Sequence, residues 1–219
     1  MLKIISTSDG SDTLYVPELN EHYHSTFGAV SESNHVFIES GYKSTSLNPV
    51  NILEVGFGTG LNTFLTLLES LKDKRIVYYV SVEKSPLPSS IYKKLNYSTL
   101  LPVNKGLYFD LIHESNWETS CKITENFRLL KLKKDFMKMD PRLAFDIIYF
   151  DAFAPEKQPE MWSYEILSLA SSMIKPGGIF VTYSAKGQLR RDLKQLGYNV
   201  ENPAGPAGKR QITRAVKTT

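Results

Sequence analysis

Apolar segments alternate with segments of helical spacing along most of the chain. Residues 147–150 are continuously apolar, which is typical of a strand buried on both faces, and a shorter apolar run at residues 52–55 is interrupted only by Glu54. Similar patterns predict further strands at residues 75–82, 127–132 and 179–183, and helices at residues 62–68, 89–101, 160–172 and 188–196. Strands that alternate with helices predict an α/β fold with a mostly parallel, doubly wound sheet.

The carboxyl-terminal part of the chain departs from this alternation. Residues 198–201 and 211–216 are two extended segments with no helix between them, so they are predicted to pair as an antiparallel hairpin. Residues 106–125 show no clear period, and no element is predicted there.

The amino-terminal part reads as a lead-in to the main domain. Its clearest extended segments are residues 13–16 and 35–38, broken by turn-forming glycines and prolines. We therefore predict a short β extension at residues 1–50, packed on a core domain at residues 51–219.

Composition limits the kind of protein that this sequence encodes. With 219 residues, of which 42% are hydrophobic, the chain is long enough for one sizeable core. Cys121 is the single cysteine, and the four histidines are scattered, so neither an internal disulfide nor a Cys/His cluster at metal-ligand spacing is expected. A reducing compartment and no bound metal follow.

No targeting or membrane segment is predicted. The first ten residues turn polar too soon for a signal peptide, and no apolar run approaches the ~18 residues of a membrane span. We expect a cytoplasmic protein with no membrane partner. Its oligomeric state is left open.

Charge is distributed unevenly along the chain. The formal net charge is +3, but from residue 186 onward eight basic residues face only two acidic ones. Such a stretch is typical of a surface that tracks phosphates, although a solvated helix face has the same composition and is the more common case.

The most informative local pattern is the strand, turn and helix that begin at residue 51. Gly56, Gly58 and Gly60 follow the apolar run, and Asn62 opens the helix, which is typical of a nucleotide-binding turn. The dinucleotide motif G-x-G-x-x-G requires glycine where this chain has Leu61, which weakens a nicotinamide interpretation. Glu54 at the strand end suits a cationic ligand such as S-adenosylmethionine (SAM). The alternative is that Glu54 faces solvent and the glycines form only a tight turn.

Acidic residues follow three further predicted strands. Glu83 lies at the position that binds ribose hydroxyls in parallel α/β sheets. Asp135 is positioned either to bind the edge of a base or to begin the following loop, and both interpretations stay open. Asp151 and Phe153 follow the buried strand at residues 147–150 and are expected to face the ligand; the alternative is that Asp151 caps the next helix.

Five ordered motifs resemble those of one enzyme family. Residues 151–162 (DAFAPEKQPEMW) are similar to the D-[AG]-F-[AS]-P-x-x-N-P-x-[ML]-W signature of the methyltransferase that completes 5-methylaminomethyl-2-thiouridine at the wobble position of tRNA. The same family has counterparts of residues 54–62, 81–87, 182–191 and 205–210. The resemblance extends over nearly the whole chain, and it implies a Rossmann-like class I SAM-dependent methyltransferase.

The resemblance implies the reaction and the cofactor. A SAM methyl group would be transferred to the primary amine of 5-aminomethyl-(2-thio)uridine in tRNA. Many members of the family are fused to an FAD-dependent oxidase, whereas this sequence stops at Thr219, so the stand-alone form without FAD is expected. One departure is Gln158, where the family usually has Asn.

Residue roles for this reaction are a hypothesis that combines the motifs with the strand-end positions. Asp151 is expected to hold the amine and accept its proton, with Phe153 and Tyr183 as walls that exclude water. The expected SAM-binding residues are Glu54, Gly56, Gly58, Gly60, Asn62, Glu83, Asp135 and Asp151. The expected phosphate contacts of the tRNA are Lys186, Arg190, Arg191, Lys209 and Arg210.

Rival functions are weighed on the same residues. An aminopropyltransferase, or another methyltransferase of small amines, would use a similar scaffold but would have no need of the basic tail. A non-catalytic tRNA- or SAM-binding module would have no need of an acidic group on the attacking side. His22, Tyr23 and His24 lie in a segment able to cover the site, but no role is assigned to them.

Overall fold

The computed structural model describes residues 2–100 and 106–218. The strands are β1 (Lys3–Ser6), β2 (Asp12–Val16), β3 (Glu21–His22), β4 (Val50–Val55), β5 (Val77–Glu83), β6 (Ser120–Thr124), β7 (Phe127–Lys133), β8 (Phe145–Phe150), β9 (Ile174–Thr182), β10 (Tyr198–Glu201) and β11 (Thr213–Lys217). The α-helices are α1 (Ala29–Ser33), α2 (Leu61–Asp73), α3 (Ser89–Tyr92), α4 (Tyr97–Leu100), α5 (Gly106–Glu114), α6 (Tyr164–Ser172) and α7 (Gly187–Gln195). A π-helical segment lies at Asn34–Glu39, and 3₁₀ turns lie at Tyr42–Ser44, Phe136–Lys138 and Pro159–Trp162.

The main sheet has eight strands in the order β10-β11-β9-β8-β4-β5-β7-β6. Strands β9, β8, β4, β5 and β7 run parallel, whereas the pairs β11–β9, β10–β11 and β6–β7 are antiparallel. The predicted doubly wound sheet and its carboxyl-terminal hairpin are therefore confirmed. The chain builds outward from β4 through β5 to β7 and then crosses to β8, so the switch point lies between β4 and β8. Ligands of such sheets bind at the carboxyl ends of the strands near this point.

Alternating side chains of β4 pack into two separate cores. Ile52 points to the face covered by α2, where it packs in one cluster with Phe64. Leu53 points to the opposite face and packs with Leu167 of α6. All six residues of β8 are buried, as the apolar run predicted. Because both faces of these strands are covered, only their ends are open to a ligand.

The amino-terminal residues form a small three-stranded antiparallel sheet, β1-β2-β3. The prediction for residues 13–16 is confirmed by β2. This small sheet is tied to α4, because the hydroxyl of Tyr97 donates to the carbonyl of Asp12 at 2.6 Å. The division of the chain at residue 50 stays a prediction.

Residues 35–38 are helical, so the strand predicted there is wrong. Val36, Phe37 and Ile38 are all buried in the core that α2 covers, and the ring of Phe37 lies 5.2 Å from that of Tyr149. A helical turn brings these consecutive apolar residues against the sheet and α2 together, and this tertiary packing overrides their preference for a strand.

Three other elements differ from the sequence-based expectations. Residues 106–125, for which no element was predicted, contain α5 and β6. The single helix predicted at residues 89–101 is split into α3 and α4, and Leu101 lies outside the described residues. The helix predicted at residues 160–172 is interrupted because Ser163 ends the 3₁₀ turn and caps α6 with its hydroxyl. No described helix is both long enough and apolar enough to cross a bilayer.

Candidate active site

A cavity of about 680 Å³ opens at the carboxyl ends of β4, β5, β7 and β8. The loops that follow these four strands form its floor and one side. The amino-terminal segment of residues 21–27 and the loop before β11 form the opposite side, where Glu32 and Lys209 line the cavity. The cavity is thus located where the sheet topology predicts a ligand.

The glycine turn after β4 approaches the loop after β8 closely. Gly56 has a φ of +95°, and a Cβ there would lie 2.6 Å from the carbonyl oxygen of Asp151. Gly58 also lines the cavity, next to the ring of Tyr23. Gly60 does not line it, since its free face is turned toward His113. Gly60 therefore shapes the turn, and its contact with SAM stays a prediction.

Glu54 lies below this turn and does not line the cavity. Its Oε2 accepts hydrogen bonds from the hydroxyl of Ser81 at 2.6 Å and of Thr63 at 2.9 Å, and the residue is fully buried. The interpretation that Glu54 faces solvent is therefore wrong, whereas its predicted contact with SAM stays a prediction. Burial raises the pKa of its carboxyl from an ordinary 4.5 to about 8, although the two hydroxyls lower it.

Asp151 faces the cavity and is held by Asn62. The side-chain amide of Asn62 donates to Asp151 Oδ2 at 2.8 Å. Burial raises the pKa of Asp151 to about 7, and the hydrogen bond from Asn62 opposes that rise. The helix-cap alternative does not hold, because Gln158 precedes the 3₁₀ turn and Ser163 caps α6.

Two further predicted acidic residues line the same cavity. Glu83 accepts from the backbone N–H of Gly58 at 3.0 Å, so it also fixes the glycine turn. Asp135 caps the 3₁₀ turn by accepting from the N–H of Met137 at 3.1 Å, and it pairs with Lys84 at 2.9 Å. Asp135 therefore begins the loop and lines the cavity at once.

Aromatic side chains form the wall around Asp151. The rings of Phe153 and Tyr23 meet edge to face at 5.0 Å, and the hydroxyl of Tyr183 donates to the carbonyl of Ala152 at 2.8 Å. Gln158 accepts from the N–H of Phe153 at 3.3 Å. The amide of Gln158 thus supports the backbone of this loop.

Sequence reasoning missed one ion pair in this wall. Glu32 and Lys209 pair with each other, and the ammonium of Lys209 lies 4.0 Å from the centroid of the Tyr183 ring. Glu32 is buried and also accepts from the N–H of Ser25 at 2.8 Å. Glu32 lies on the one-turn helix α1 in a polar segment without periodicity, so the sequence carries no signal for its burial or its partner.

The segment of residues 21–25 covers part of the cavity, as its sequence allowed. His24 is buried, and its Nε2 lies 2.8 Å from Thr59 Oγ1. Burial lowers the pKa of His24 to about 4, so its ring is neutral at physiological pH. His22 lines the cavity and packs on Tyr15, with ring centroids 4.8 Å apart.

The predicted phosphate contacts differ in how far their charged groups already have partners within the protein. Arg190 donates to Gln211, Thr213 and the carbonyl of Ile212, so its guanidinium ties α7 to the segment leading into β11 and is not free for RNA. Lys186 pairs with Glu156 on the surface. Arg191 is exposed and bonds to Gln188 at 2.7 Å.

Arg210 is one of the predicted contacts that lie on the surface. It is exposed, and no ion pair involves it within the part of the chain that the structure describes. Lys209, by contrast, is turned toward the cavity and its pair with Glu32.

Comparison with known proteins identifies the family. Residues 112–218 match a family model described as S-adenosyl-L-methionine-dependent methyltransferase. The crystal structure of MnmC2 from Aquifex aeolicus aligns with a TM-score of 0.82 at 31% identity, over 98% of this chain and 70% of that one. The chain belongs to the MnmC methyltransferase family. The fold is accordingly that of a class I SAM-dependent methyltransferase.

Curated relatives carry the same family name. The bifunctional protein MnmC of tRNA 5-methylaminomethyl-2-thiouridine biosynthesis is 33% identical over 203 residues in Leptospira borgpetersenii and 29% identical over 218 residues in Cupriavidus necator. These matches cover 87% and 92% of this chain but only 31% and 32% of the relatives. The chain thus spans about a third of their length. Spermidine synthase from Thermotoga maritima shares the fold, with a TM-score of 0.57 at 14% identity.

The cavity fits the cofactor of the MnmC methyltransferase family. Asn62 Oδ1 is buried and has no hydrogen-bond partner among the described residues, so it is an acceptor suited to the ammonium of SAM. Glu83 is placed to accept from ribose hydroxyls, and the missing Cβ atoms of Gly56 and Gly58 leave room for a close approach. Within residues 2–100 and 106–218, no group of His, Cys, Asp and Glu is placed to hold a metal ion.

A pH-dependent stability is expected from Glu54. Because its folded pKa of about 8 lies above the ordinary 4.5, its contribution to stability is complete below pH 4.5 and is lost as the pH rises to about 8. Glu54→Gln keeps the shape but cannot ionise, so the free energy of unfolding of the variant should rise relative to wild type across this window. Urea unfolding between pH 5.5 and 8.5 measures the difference.

The control for this change is Glu125→Gln on the exposed surface. That variant should differ from wild type by a constant amount at every pH. A constant difference for Glu54→Gln as well would show that Glu54 is already ionised in the folded protein.

Proposed function

We propose that this chain transfers a methyl group from SAM to the primary amine of 5-aminomethyl-(2-thio)uridine at the wobble position of tRNA. The observation that carries the proposal is the Asp151 carboxyl, held by Asn62 at 2.8 Å and facing a cavity that fits SAM. The names of the curated MnmC relatives support this choice of substrate. Those relatives are bifunctional, and only the methyl transfer is proposed for this chain.

The proposed reaction needs an unprotonated amine held in line with a methyl group. Bound SAM would supply that group as an electrophile. Asp151 would accept a hydrogen bond from the amine and take up its proton, and a pKa of about 7 is well matched to this task near neutral pH. No stronger base is required, because orientation alone contributes roughly 7 kcal/mol or more in well-aligned systems.

The wall around Asp151 would orient the amine and exclude water. Phe153 and Tyr23 pack edge to face on one side, and Tyr183 is fixed on the other by its bond to Ala152. Burial keeps the pKa of the Tyr183 hydroxyl far above its usual range, so it remains a neutral donor. We propose that Tyr183 and Phe153 hold the uracil ring of the substrate and that Asp151 holds its aminomethyl group.

The tRNA would lie over the mouth of the cavity with its wobble base turned out into it. Arg210 and Arg191 are exposed, and Lys186 lies on the same surface beside Ala185 and Arg210. We propose these three residues as phosphate contacts, whereas Arg190 and Lys209 are occupied within the protein. A tRNA substrate also implies that the enzyme acts in the cytoplasm.

Mass spectrometry of wobble nucleosides tests the proposed function directly. The protein is incubated with SAM and with tRNA from cells that lack this activity. We expect 5-aminomethyl-2-thiouridine to gain one methyl group and become the secondary amine. Polyamines are offered in parallel, since spermidine synthase shares the fold. No gain on tRNA, with SAM still bound, would contradict the proposal, and methylation of polyamines instead would identify a different acceptor.

The role of Asp151 is tested by removing its charge. Asp151→Asn keeps an oxygen that can accept from Asn62 but cannot take up a proton, so turnover should fall roughly 10²- to 10⁴-fold. The affinity for SAM, measured by calorimetry, should change little. Asp110→Asn, on the exposed face of α5, is the matched control and should leave both quantities unchanged. Equal losses of turnover and SAM affinity in Asp151→Asn would make Asp151 a cofactor ligand instead.

A further inference from the structure

An exposed aromatic ring lies at the mouth of the cavity on the side of Lys209. Phe27 lines the cavity, yet 56% of its surface is exposed to solvent. Large apolar side chains that stay exposed next to a binding cavity mark contact surfaces more often than isolated ones do. The role assigned to Asp151 and its aromatic wall makes no use of Phe27.

The ring of Phe27 rests on the backbone of Gly208. A Cβ at residue 208 would lie 2.4 Å from Cδ2 and 2.6 Å from Cε2 of Phe27, and Gly208 has a φ of +84°. Any other residue at 208 would therefore push the ring away and strain the backbone. One side of the ring is packed on the protein, and the rest remains accessible.

Hydrogen bonds and an ion pair hold the segment that carries Phe27 next to the loop that carries Gly208. The N–H of Phe27 donates to Ser25 Oγ at 3.2 Å, and the N–H of Ser25 donates to the buried Glu32. Glu32 in turn pairs with Lys209, the residue that follows Gly208. Glu32 therefore links the two loops that meet at the Phe27 ring. Because the ring is already held in place, little conformational entropy would be lost when a ligand binds to it.

The surroundings of the ring indicate the chemistry of its partner. Arg210 follows two residues after Gly208 and is exposed without an ion-pair partner among the described residues. Arg210 lines a groove that adjoins the cavity, since both are lined by Tyr183 and Lys209. An exposed aromatic face and an exposed guanidinium on adjoining surfaces match unpaired nucleotides, because single-stranded nucleic acids bind through stacking and backbone charge together. A purely apolar partner would have no use for the guanidinium.

We propose that Phe27 is a stacking platform for an unpaired RNA base next to the base that enters the cavity. This inference rests on the proposed function, since it assumes an RNA substrate. The ring lies at the mouth rather than beside Asp151, so it meets a neighbour of the modified base. Stacking there holds the strand open while the target base occupies the cavity.

Substitutions at residue 27 separate stacking from simple apolar contact. Affinity for a short anticodon stem–loop RNA is measured by fluorescence anisotropy, with SAM affinity as a check on folding. Phe27→Ala should weaken RNA binding roughly 5- to 100-fold and leave SAM affinity unchanged. Phe27→Trp should bind like wild type, whereas Phe27→Leu, which is apolar but has no aromatic face, should be nearly as weak as Phe27→Ala. Wild-type RNA affinity in Phe27→Leu would overturn the proposal.

The matched control is Tyr78→Ala. Tyr78 is a similarly exposed aromatic residue, at 42%, but it lies near the amino end of β5, whereas the cavity lies at the carboxyl ends of the strands. Its removal should change neither RNA nor SAM affinity. An equal loss of RNA affinity in Tyr78→Ala and Phe27→Ala would show a general effect of surface aromatic residues and would overturn the proposal.

A second measurement locates the stacked base. The fluorescent base 2-aminopurine, whose emission falls on stacking, is placed in turn at each unpaired position beside the wobble base. We expect the wild-type protein to quench the fluorescence at one neighbouring position and Phe27→Ala to lose this quenching. If quenching depends on Phe27 at none of the positions, the inference is overturned. If the wild-type protein methylates the RNA and Phe27→Ala binds the RNA as tightly as wild type, only the stacking platform is refuted. If the wild-type protein binds no RNA, the proposed function is refuted.

Discussion

The buried carboxyl of Glu54 is the interaction on which the site depends. It joins the end of β4 to α2 through Thr63 and to β5 through Ser81, directly below the glycine turn. An ionised carboxylate in this position would carry a large desolvation cost, which raises its pKa and favours the neutral form. The two strands and the helix are thereby held in one arrangement, and the turn above them can stay open for a ligand.

Asn62 carries that arrangement into the cavity. Its amide lowers the pKa of Glu54 on one side and donates to Asp151 on the other, so the Asp151 carboxyl is positioned by the same helix that Glu54 anchors. The opposite wall is assembled from distant parts of the chain. Glu32 raises the pKa of Asp151 and Lys209 lowers it, so their ion pair places two charges of opposite effect near this carboxyl. Contacts between the two ends of the chain thus help to set its protonation.

Sequence reasoning located the strand ends well, because carboxyl ends of parallel strands share one edge of a sheet. Glu83, Asp135 and Asp151 all line the cavity for this reason. The sequence could not show which way Glu54 points, since a shift of one residue along a strand reverses the face. It also could not show that Arg190 is engaged in tertiary hydrogen bonds. α5 was missed although Phe109, Ile112 and His113 have helical spacing and are buried, because their signal is short and is followed by a polar loop.

Two neighbouring carboxyl groups in this structure have similar raised pKa values but different surroundings, and the surroundings decide their roles. Glu54 is fully buried and accepts hydrogen bonds from Thr63 and Ser81 within the fold, so a change in its charge is a change in stability. Asp151 is enclosed by aromatic rings yet open to the cavity, so a cationic amine that enters is the partner able to favour its ionised form. An ammonium that enters would lower the pKa of Asp151 and could pass its proton to the carboxylate, and methyl transfer to the resulting neutral amine would move the positive charge of the SAM sulfonium onto the substrate nitrogen. The ionised Asp151 carboxylate is therefore placed to take up the proton that the substrate nitrogen has to lose.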